Sequence, residues 1–259
     1  MAPCFSSPAA GQHFPFPLPL PPADLLDGAS LFLDFDGTLV DIAARPDAVR
    51  VDAGLVDLLK GLDRRLHGRI ALVSGRSADT IAALLDYPDI TIAGSHGMEI
   101  RFRDGRVIAP PRPAALNDVT HALHDFSATR PGLVIEEKPL GVGLHYRSAP
   151  ELAMQSRVLA ERLARESGLH LQTGKMVYEL RVGGGDKGRA LRLLMAEPDM
   201  RGTRPVFLGD DDTDEPAFVA AAALLGNGIL VGPQRSTAAH YRLDDVAAVR
   251  EWLERELTG

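Results

Sequence analysis

The chain has 259 residues, enough for one large domain or two small ones. Its formal net charge of -7 argues against a non-specific nucleic-acid or membrane-surface binder, because such proteins need a basic surface to engage phosphates. Cys4 is the only cysteine, so neither an internal disulfide nor a cysteine metal cluster is possible. No apolar run is long enough to span a membrane, and no Lys or Arg precedes Arg45 to begin a secretory signal. We therefore expect a cytoplasmic protein.

Residues 1–25 are rich in proline, which can propagate neither a helix nor a sheet ladder, so we predict an extended tail. Apolar residues alternate with these prolines at Phe14, Phe16, Leu18 and Leu20. A disordered leader is the prediction for this tail, and docking along an apolar groove is the alternative.

The stretch LFLDFDGT at 31–38 predicts a buried strand that ends in two aspartates and a Gly-Thr pair. Open α/β sheets form their sites at the C-terminal ends of strands. Because residues i and i+2 of a strand point to one side, Asp34 and Asp36 should share a small volume. Two close carboxylates repel, and a bound cation or a division between nucleophile and acid would resolve the conflict. Taken alone, the stretch also fits an ordinary Asp-Gly turn.

Strands and helices then alternate along the chain. Leucines at helical spacing predict a helix over 52–65, followed by a strand over 69–75 that ends in Ser74 and Arg76. A helix over 77–85 and a strand over 90–97 ending in His96 come next. This alternation is typical of parallel βαβ units and predicts a doubly wound α/β sheet.

The pattern changes at about residue 98. We predict a hairpin around Asp104 and Gly105, a helix over 116–126, two strands over 133–147, a helix over 151–166, and strands over 169–172 and 175–182. These signals are mostly antiparallel and indicate an inserted α+β module. We place this module at 104–182, inside a core formed by 26–103 and 183–259.

The core pattern resumes with a helix over 186–196, a strand over 205–210, a helix over 213–225, a strand over 228–232 and a helix over 243–257. Four predicted strands now end in polar residues. These are Asp34 with Asp36, Ser74, His96, and the run Asp210, Asp211, Asp212 and Asp214. Parallel strands share a C-terminal edge, so we expect these residues to converge on one crevice. Ser74, Asp212 and Asp214 could instead cap helices.

Four motifs in order carry a family resemblance: DFDGTL at 34–39, VSGR at 73–76, GGDKG at 184–188 and GDDDTDE at 209–215. Together they resemble the motifs of the haloacid dehalogenase superfamily of phosphotransferases. The resemblance covers nearly the whole chain after the tail. It implies a Rossmann-like parallel-sheet core with a smaller α+β cap inserted between the second and third motifs.

The resemblance also implies roles for the residues in these motifs. Asp34 would be the nucleophile, and Asp36 the general acid and then the base. Ser74 and Lys187 would hold the phosphoryl group. The implied Mg2+ ligands are Asp34, Asp36 through its backbone carbonyl, and Asp210, with Asp211 or alternatively Asp214 beside the ion or reaching it through water.

Further stretches resemble the trehalose-6-phosphate phosphatases: GSHGMEI at 94–100, EEKPLGVGLHYR at 136–147 and GKMVYELRV at 174–182. Alternation along 175–182 predicts a half-buried strand that carries Lys175, Glu179 and Arg181 on its polar face. The resemblance implies that the distal sugar is gripped by Glu136, Lys138, Arg147, Lys175 and Glu179. It implies further substrate contacts at Arg76, His96 and Gly97. A solvated outer sheet face is the alternative interpretation.

The expected function is therefore Mg2+-dependent hydrolysis of trehalose 6-phosphate through an aspartyl-phosphate on Asp34. We expect a monomer that binds a sugar phosphate, with no nucleic-acid or membrane partner, and a trehalose-phosphate synthase on a separate chain. One alternative is a phosphatase or phosphomutase for another sugar phosphate, such as sucrose 6-phosphate. Two further alternatives are a receiver-like signalling module and a catalytically silent binding protein.

Overall fold

The computed structural model describes residues 17–43 and 48–258. Its strands are β1 (Ala29–Leu33), β2 (Ile70–Val73), β3 (Thr91–Gly94), β4 (Glu99–Arg101), β5 (Val107–Ile108), β6 (Val134–Lys138), β7 (Gly141–His145), β8 (His170–Gly174), β9 (Val177–Arg181), β10 (Arg204–Gly209), β11 (Asn227–Val231) and β12 (Tyr241–Leu243). Its α-helices are α1 (Ala53–Arg65), α2 (Ala78–Leu85), α3 (Ala115–Ala128), α4 (Ala153–Ser167), α5 (Lys187–Met195), α6 (Glu215–Ala223) and α7 (Val246–Thr258).

The larger sheet has eight strands in the order β12-β11-β10-β1-β2-β3-β4-β5. Neighbouring strands from β12 to β3 run parallel, whereas β4 and β5 are antiparallel. The all-buried β1 lies between β10 and β2, with Leu33 in register with Leu208 and Leu72. Apolar clusters cover both faces, so the predicted doubly wound α/β core is confirmed.

The smaller sheet has four antiparallel strands in the order β6-β7-β9-β8. Helices α3 and α4 cover one of its faces through a cluster that includes Leu123, Leu144 and Leu180. In the strand register, Glu136 and Glu179 flank Gly143 from either side. The sequence places these two acids on the opposite face, since side chains alternate along each strand.

The hairpin of β4 and β5 belongs to the larger sheet, whereas the expected boundary at residue 104 divides it between the core and the inserted module. Ile100 and Phe102 from this hairpin are buried against the same cluster as Val73 and Ala93. The expected module boundary at residue 104 therefore falls within the hairpin. The pattern of a hairpin is the same in either sheet, and burial of these two side chains decides its position.

The described part of the predicted tail, from residue 17 onward, contacts the core, although Leu20, one of its alternating apolar residues, is exposed. The carbonyl of Pro19 accepts a hydrogen bond of 3.0 Å from the amide of Arg242 in β12, and Leu18 packs against the core. Leu25 and Leu26 are buried. Residues 1–16 of the predicted tail lie outside the described residues, and β12 itself was not predicted because it has only three residues. None of the described helices has both the length and the apolar character needed to cross a membrane.

Candidate active site

The polar residues at the strand ends converge, as the sequence predicted. Asp34 follows β1, Ser74 follows β2, His96 follows β3 and Asp210 follows β10, and all four line one cavity of about 200 Å3. The polar face of the smaller sheet lines the same cavity through Glu136, Lys138, His145 and Glu179, together with Arg147, Gln172 and Lys175. The cavity therefore lies between the two sheets.

A buried ion cluster forms the floor of the cavity. Lys187 Nζ donates hydrogen bonds of 2.7 Å to Asp34 Oδ1 and of 2.7 Å to Asp214 Oδ1. Burial raises the pKa of Asp34 well above its ordinary value; Lys187 opposes the rise, and the neighbouring carboxylates of Asp214, Asp210 and Asp211 reinforce it. The acids that follow β10 thus add to the repulsion at Asp34.

Asp34, Asp210 and Asp214 form a group that fits a divalent cation. One carboxylate oxygen from each lies within 4.8 Å of the others. Burial, reinforced by Asp211 and Asp214, raises the pKa of Asp210 to about 7, and burial also raises the pKa of Asp214. Three crowded carboxylates, two of them bonded to Lys187, provide the oxygen donors and the negative charge that hard cations prefer.

Asp211 lies outside this group, although it was predicted as a metal ligand. Its Oδ1 accepts from the Thr213 amide at 2.8 Å and from Thr213 Oγ1 at 2.6 Å, and it caps the short 3-10 turn over Asp212–Asp214. The Asp211 amide in turn donates to Asp214 Oδ2 at 3.0 Å. The side chain of Asp211 therefore caps the 3-10 turn and points to Thr213. Asp214, at the end of the same turn, binds Lys187.

Asp36 also lines the cavity, but its carboxylate is bound to the guanidinium group of Arg76. Arg76 Nε and Nη2 donate to its two carboxylate oxygens at 2.6 and 2.8 Å. Ser74 is buried, and its Oγ accepts from the Arg76 amide at 3.1 Å, while Ser77 caps α2. Ser74 therefore shapes the turn after β2 and is not the helix cap.

Lys138 connects the smaller sheet to the core. Its Nζ donates to Glu179 Oε2 at 2.7 Å and to the Gly75 carbonyl at 3.1 Å. Burial opposes ionisation of Glu179, but Lys138 and His96 together hold the pKa of this carboxyl far below its ordinary value. Glu136 Oε2 pairs with His145 Nε2 at 2.9 Å. The polar sheet face thus lies against the core, which excludes the solvated-face interpretation for these residues.

The remaining predicted substrate residues lie in different environments. Lys175 lines the cavity from the β8–β9 turn, beyond the strand in which the alternating pattern had placed it, and Arg147 Nη2 donates to its carbonyl at 3.2 Å. Gly97 does not line the cavity, because its backbone approaches α5 so closely that a β carbon would lie 2.6 Å from the Asp186 carbonyl oxygen. Its tolerance of a positive φ, +84°, explains why glycine occupies this position.

A sequence model described as Trehalose-phosphatase matches residues 32–247. The chain belongs to the trehalose-phosphatase family. The trehalose-6-phosphate phosphatase of Escherichia coli is 37% identical over 230 residues, which cover 88% of this chain and 86% of that protein. The crystal structure of a trehalose-6-phosphate phosphatase related protein matches with a TM-score of 0.74 and 32% identity, over 86% of this chain and 95% of that one.

A haloacid dehalogenase-like hydrolase from Bacteroides thetaiotaomicron shares the fold at 18% identity, with a TM-score of 0.62 over 87% of this chain and 98% of that one. The predicted superfamily fold is therefore confirmed. As a member of the trehalose-phosphatase family, the chain is a phosphatase, and the alternative of a receiver-like module is wrong.

Some cavity residues of this trehalose-phosphatase family member were not singled out from the sequence. Gly75, Gln172 and Thr213 line the cavity, and the Gly75 carbonyl accepts from Lys138. Gly75 follows Ser74 inside the matched VSGR motif, so its position was a usable signal. Gln172 lies on β8, whose part in the site depends on the sheet order and has no signal in the sequence.

Proposed function

We propose that this chain hydrolyses trehalose 6-phosphate to trehalose and phosphate, with Mg2+ as cofactor and Asp34 as nucleophile. The observation that carries the proposal is the position of Asp34 at the floor of a cavity whose opposite wall is the charged face of the smaller sheet. The floor has the groups for phosphoryl chemistry, and the wall offers donors and acceptors for sugar hydroxyls. Family membership supports the choice of the disaccharide.

In the first step, an oxygen of Asp34 would attack phosphorus while the bond between phosphorus and the sugar oxygen breaks. Asp36 would give its proton to the leaving sugar oxygen. In the second step, Asp36 would take a proton from water, the water oxygen would attack phosphorus, and the bond to Asp34 would break to release phosphate. Ser74 and Lys187 would bind phosphoryl oxygens throughout.

A cation held by Asp34, Asp210 and Asp214 would offset the negative charge of the phosphoryl group. Lys187 already provides one positive charge between Asp34 and Asp214. It therefore keeps two of the acids together and orients Asp34 for attack. The predicted contact of Asp36 with the ion is through its backbone carbonyl and stays a prediction. The Asp211 carboxylate accepts hydrogen bonds from Thr213, so a contact of Asp211 with the ion through water also stays a prediction.

Sugar recognition would come from Glu136, Lys138 and Glu179, with Arg147, Lys175 and His96 at the edges of the same cavity. In this structure, the ammonium group of Lys138 donates a hydrogen bond to the carboxylate of Glu179. Hydroxyl groups can replace both partners, since each hydroxyl donates and accepts hydrogen bonds. The cytoplasmic location, the monomeric state and the separate synthase stay predictions.

The test is phosphate release from trehalose 6-phosphate, sucrose 6-phosphate, glucose 6-phosphate and mannose 6-phosphate, each with Mg2+ and with a chelator. We expect Mg2+-dependent release with a clear preference for trehalose 6-phosphate, and none from Asp34→Asn. Preference for another ester would retain the core chemistry and overturn the sugar assignment. Absence of release from every ester would favour the binding-protein alternative.

A further inference from the structure

The turn after β3 has an unusual backbone. Ser95 and His96 adopt φ values of +50° and +56°, in the left-handed region that residues with side chains rarely occupy. Neither residue is glycine, so the conformation is costly and needs compensating contacts. Such strained residues concentrate at functional sites, where the surrounding structure holds them in place.

Backbone hydrogen bonds supply part of this compensation, since the Ser95 amide donates to the Arg76 carbonyl at 2.7 Å and the His96 amide to the Ser74 carbonyl at 2.9 Å. Glu99 supplies the side-chain contacts. Its Oε1 accepts a hydrogen bond of 2.7 Å from Ser95 Oγ and one of 3.1 Å from the Ala78 amide, at the start of α2. The glutamate is buried, with 8% of its surface exposed. Gly94 leaves the necessary room, because a β carbon there would lie 2.9 Å from Glu99 Oε1 and 2.3 Å from the Ala78 nitrogen. Glu99 thus fixes the strained turn to the first turn of a helix.

The strained turn places His96 next to the smaller sheet, which forms the wall of the cavity that we propose to bind the sugar. The imidazole lies against Gly75 so closely that a β carbon at that position would be 2.6 Å from His96 Cε1. His96 Nε2 is 3.6 Å from Glu179 Oε2, on the smaller sheet. The ring therefore occupies a fixed place between the core and the face that we propose to bind the sugar.

Ser74 and Asp34, on the part of the cavity proposed to bind the phosphoryl group, are held by other contacts. The Ser74 amide donates to the Ala93 carbonyl at 2.9 Å, which continues the pairing of β2 with β3. Asp34 is fixed by its amide, which donates to Leu208 at 2.9 Å. Neither contact depends on the carboxylate of Glu99.

We propose that Glu99 is a positioning residue for sugar binding, which acts through Ser95 to hold the His96 imidazole between Gly75 and Glu179. The proposal rests on the proposed function and adds a residue that does not line the cavity. Loss of the Ser95–Glu99 hydrogen bond leaves the strained turn with only its backbone hydrogen bonds to the Arg76 and Ser74 carbonyls, so the His96 imidazole is held less firmly against Glu179. Binding of the disaccharide weakens, whereas reaction at Asp34 is retained.

The test compares Ser95→Ala, Glu99→Ala and Glu99→Gln with trehalose 6-phosphate and with p-nitrophenyl phosphate, which has no distal sugar. In Ser95→Ala and Glu99→Ala, we expect KM for trehalose 6-phosphate to rise about tenfold, the effect of one lost buried hydrogen bond. The kinetics with p-nitrophenyl phosphate should stay within about twofold of the wild type. Glu99→Gln should restore a near-normal KM, because its amide oxygen still accepts both hydrogen bonds.

Asp63→Asn is the matched control, since Asp63 is also a buried acid, binds the Tyr87 hydroxyl at 2.8 Å and lies outside the cavity lining. It should lower the thermal midpoint without changing either KM. A purely structural role for Glu99 would give this same result in Glu99→Ala and Ser95→Ala and would overturn the proposal. An equal loss with both substrates would also overturn it. If Glu99→Ala does not fold, Ser95→Ala decides.

The resonance of the His96 Cε1 proton provides a measurement that needs no substrate. It should shift in Ser95→Ala and remain in place in Asp63→Asn, because only the first change frees the turn. An unchanged resonance in Ser95→Ala would contradict the proposed control of His96. If the resonance shifts but the wild type does not hydrolyse trehalose 6-phosphate, the failure belongs to the proposed function alone.

Discussion

Arg76 holds Asp36 by both of its carboxylate oxygens, with Nε 2.6 Å from Oδ2 and Nη2 2.8 Å from Oδ1. Both oxygens of Asp36 are therefore occupied by Arg76, and neither is available to the leaving oxygen of a sugar phosphate. Phosphate oxygens offer Arg76 an equivalent two-pronged partner. Arrival of a phosphate ester would therefore draw Arg76 away and release Asp36 to act as the acid.

This exchange predicts that lysine cannot replace Arg76. A lysine retains the charge but cannot hold two oxygens in one plane, so we expect Arg76→Lys to lower kcat/KM for trehalose 6-phosphate about tenfold or more. Steady-state phosphate release measures the effect. Arg106→Lys is the control, because Arg106 pairs with Asp104 and Glu197 and does not line the cavity. Equal activity of Arg76→Lys and the wild type would contradict the exchange.

The positions of the polar strand ends were predictable because parallel strands determine them. Buried runs before Asp34, Ser74 and Asp210 indicate central strands, and their shared direction brings the following residues to one edge. Hydrophobic periodicity was enough for this step. It required no knowledge of side-chain contacts.

The choice between Asp211 and Asp214 was not predictable in the same way. Both follow β10 within one turn, and the outcome depends on which carboxylate caps the local backbone. Lys175 was misplaced for a similar reason, since the strand pattern continues into a hairpin turn where Met176 takes a φ of +64°. Local hydrogen bonds in turns decide such cases, and alternation of polar and apolar residues does not report them.

Asp34→Asn should abolish turnover and leave the fold intact. The asparagine side chain has nearly the same size and shape as the aspartate that it replaces. Lys187 also keeps its hydrogen bond to Asp214. Loss of the nucleophile should reduce phosphate release by about 10^4-fold or more, while thermal unfolding remains cooperative. The control is Asp212→Asn, whose side chain is 95% exposed, and we expect it to retain activity. Normal turnover by Asp34→Asn would exclude the covalent route.

The acidic cluster predicts a stability that depends on both pH and Mg2+. The pKa of Asp210 rises from an ordinary 3.8 to about 7 in the folded protein, chiefly through burial. The folded state therefore binds a proton more tightly than the unfolded state between these values. Without a cation, the contribution of Asp210 to stability should fall as pH rises from about 4 to 7. Mg2+ should raise the thermal midpoint more at pH 8 than at pH 5.5, because protons compete for the carboxylates.

Asp210→Asn isolates this effect. Burial lowers the pKa of His96 below its ordinary 6.5, so His96 makes stability rise as pH approaches 6.5 from below, within the same range. His96 is present in both proteins, so its contribution cancels when the stability of Asp210→Asn is subtracted from that of the wild type at each pH. We expect the variant to lose most of the Mg2+-dependent shift, measured by thermal unfolding with Mg2+ and with a chelator. A full shift in the variant would show that the ion binds elsewhere.

Glu179 should matter for the sugar and not for phosphoryl transfer. Its carboxylate binds Lys138 at 2.7 Å on the polar face of the smaller sheet, whereas Asp34 and Lys187, the residues proposed for phosphoryl transfer, bind each other on the core. Glu179→Gln keeps the shape of the side chain and removes its charge. We expect KM for trehalose 6-phosphate to rise about tenfold, since a charged hydrogen-bond acceptor is lost, with little change in the kinetics of p-nitrophenyl phosphate.

The control for Glu179→Gln is Glu137→Gln on the same sheet. The Glu137 carboxylate binds exposed His124 at 2.8 Å and does not line the cavity, so this substitution should leave both substrates unaffected. If Glu179→Gln slows p-nitrophenyl phosphate as much as the disaccharide, the residue acts on the core and the assignment of the polar sheet face is wrong. A rise in KM for trehalose 6-phosphate alone, seen in Glu179→Gln and not in Glu137→Gln, would support a sugar site at Lys138 and Glu179. These two side chains bind each other, and sugar hydroxyls can replace either partner because each hydroxyl donates and accepts hydrogen bonds.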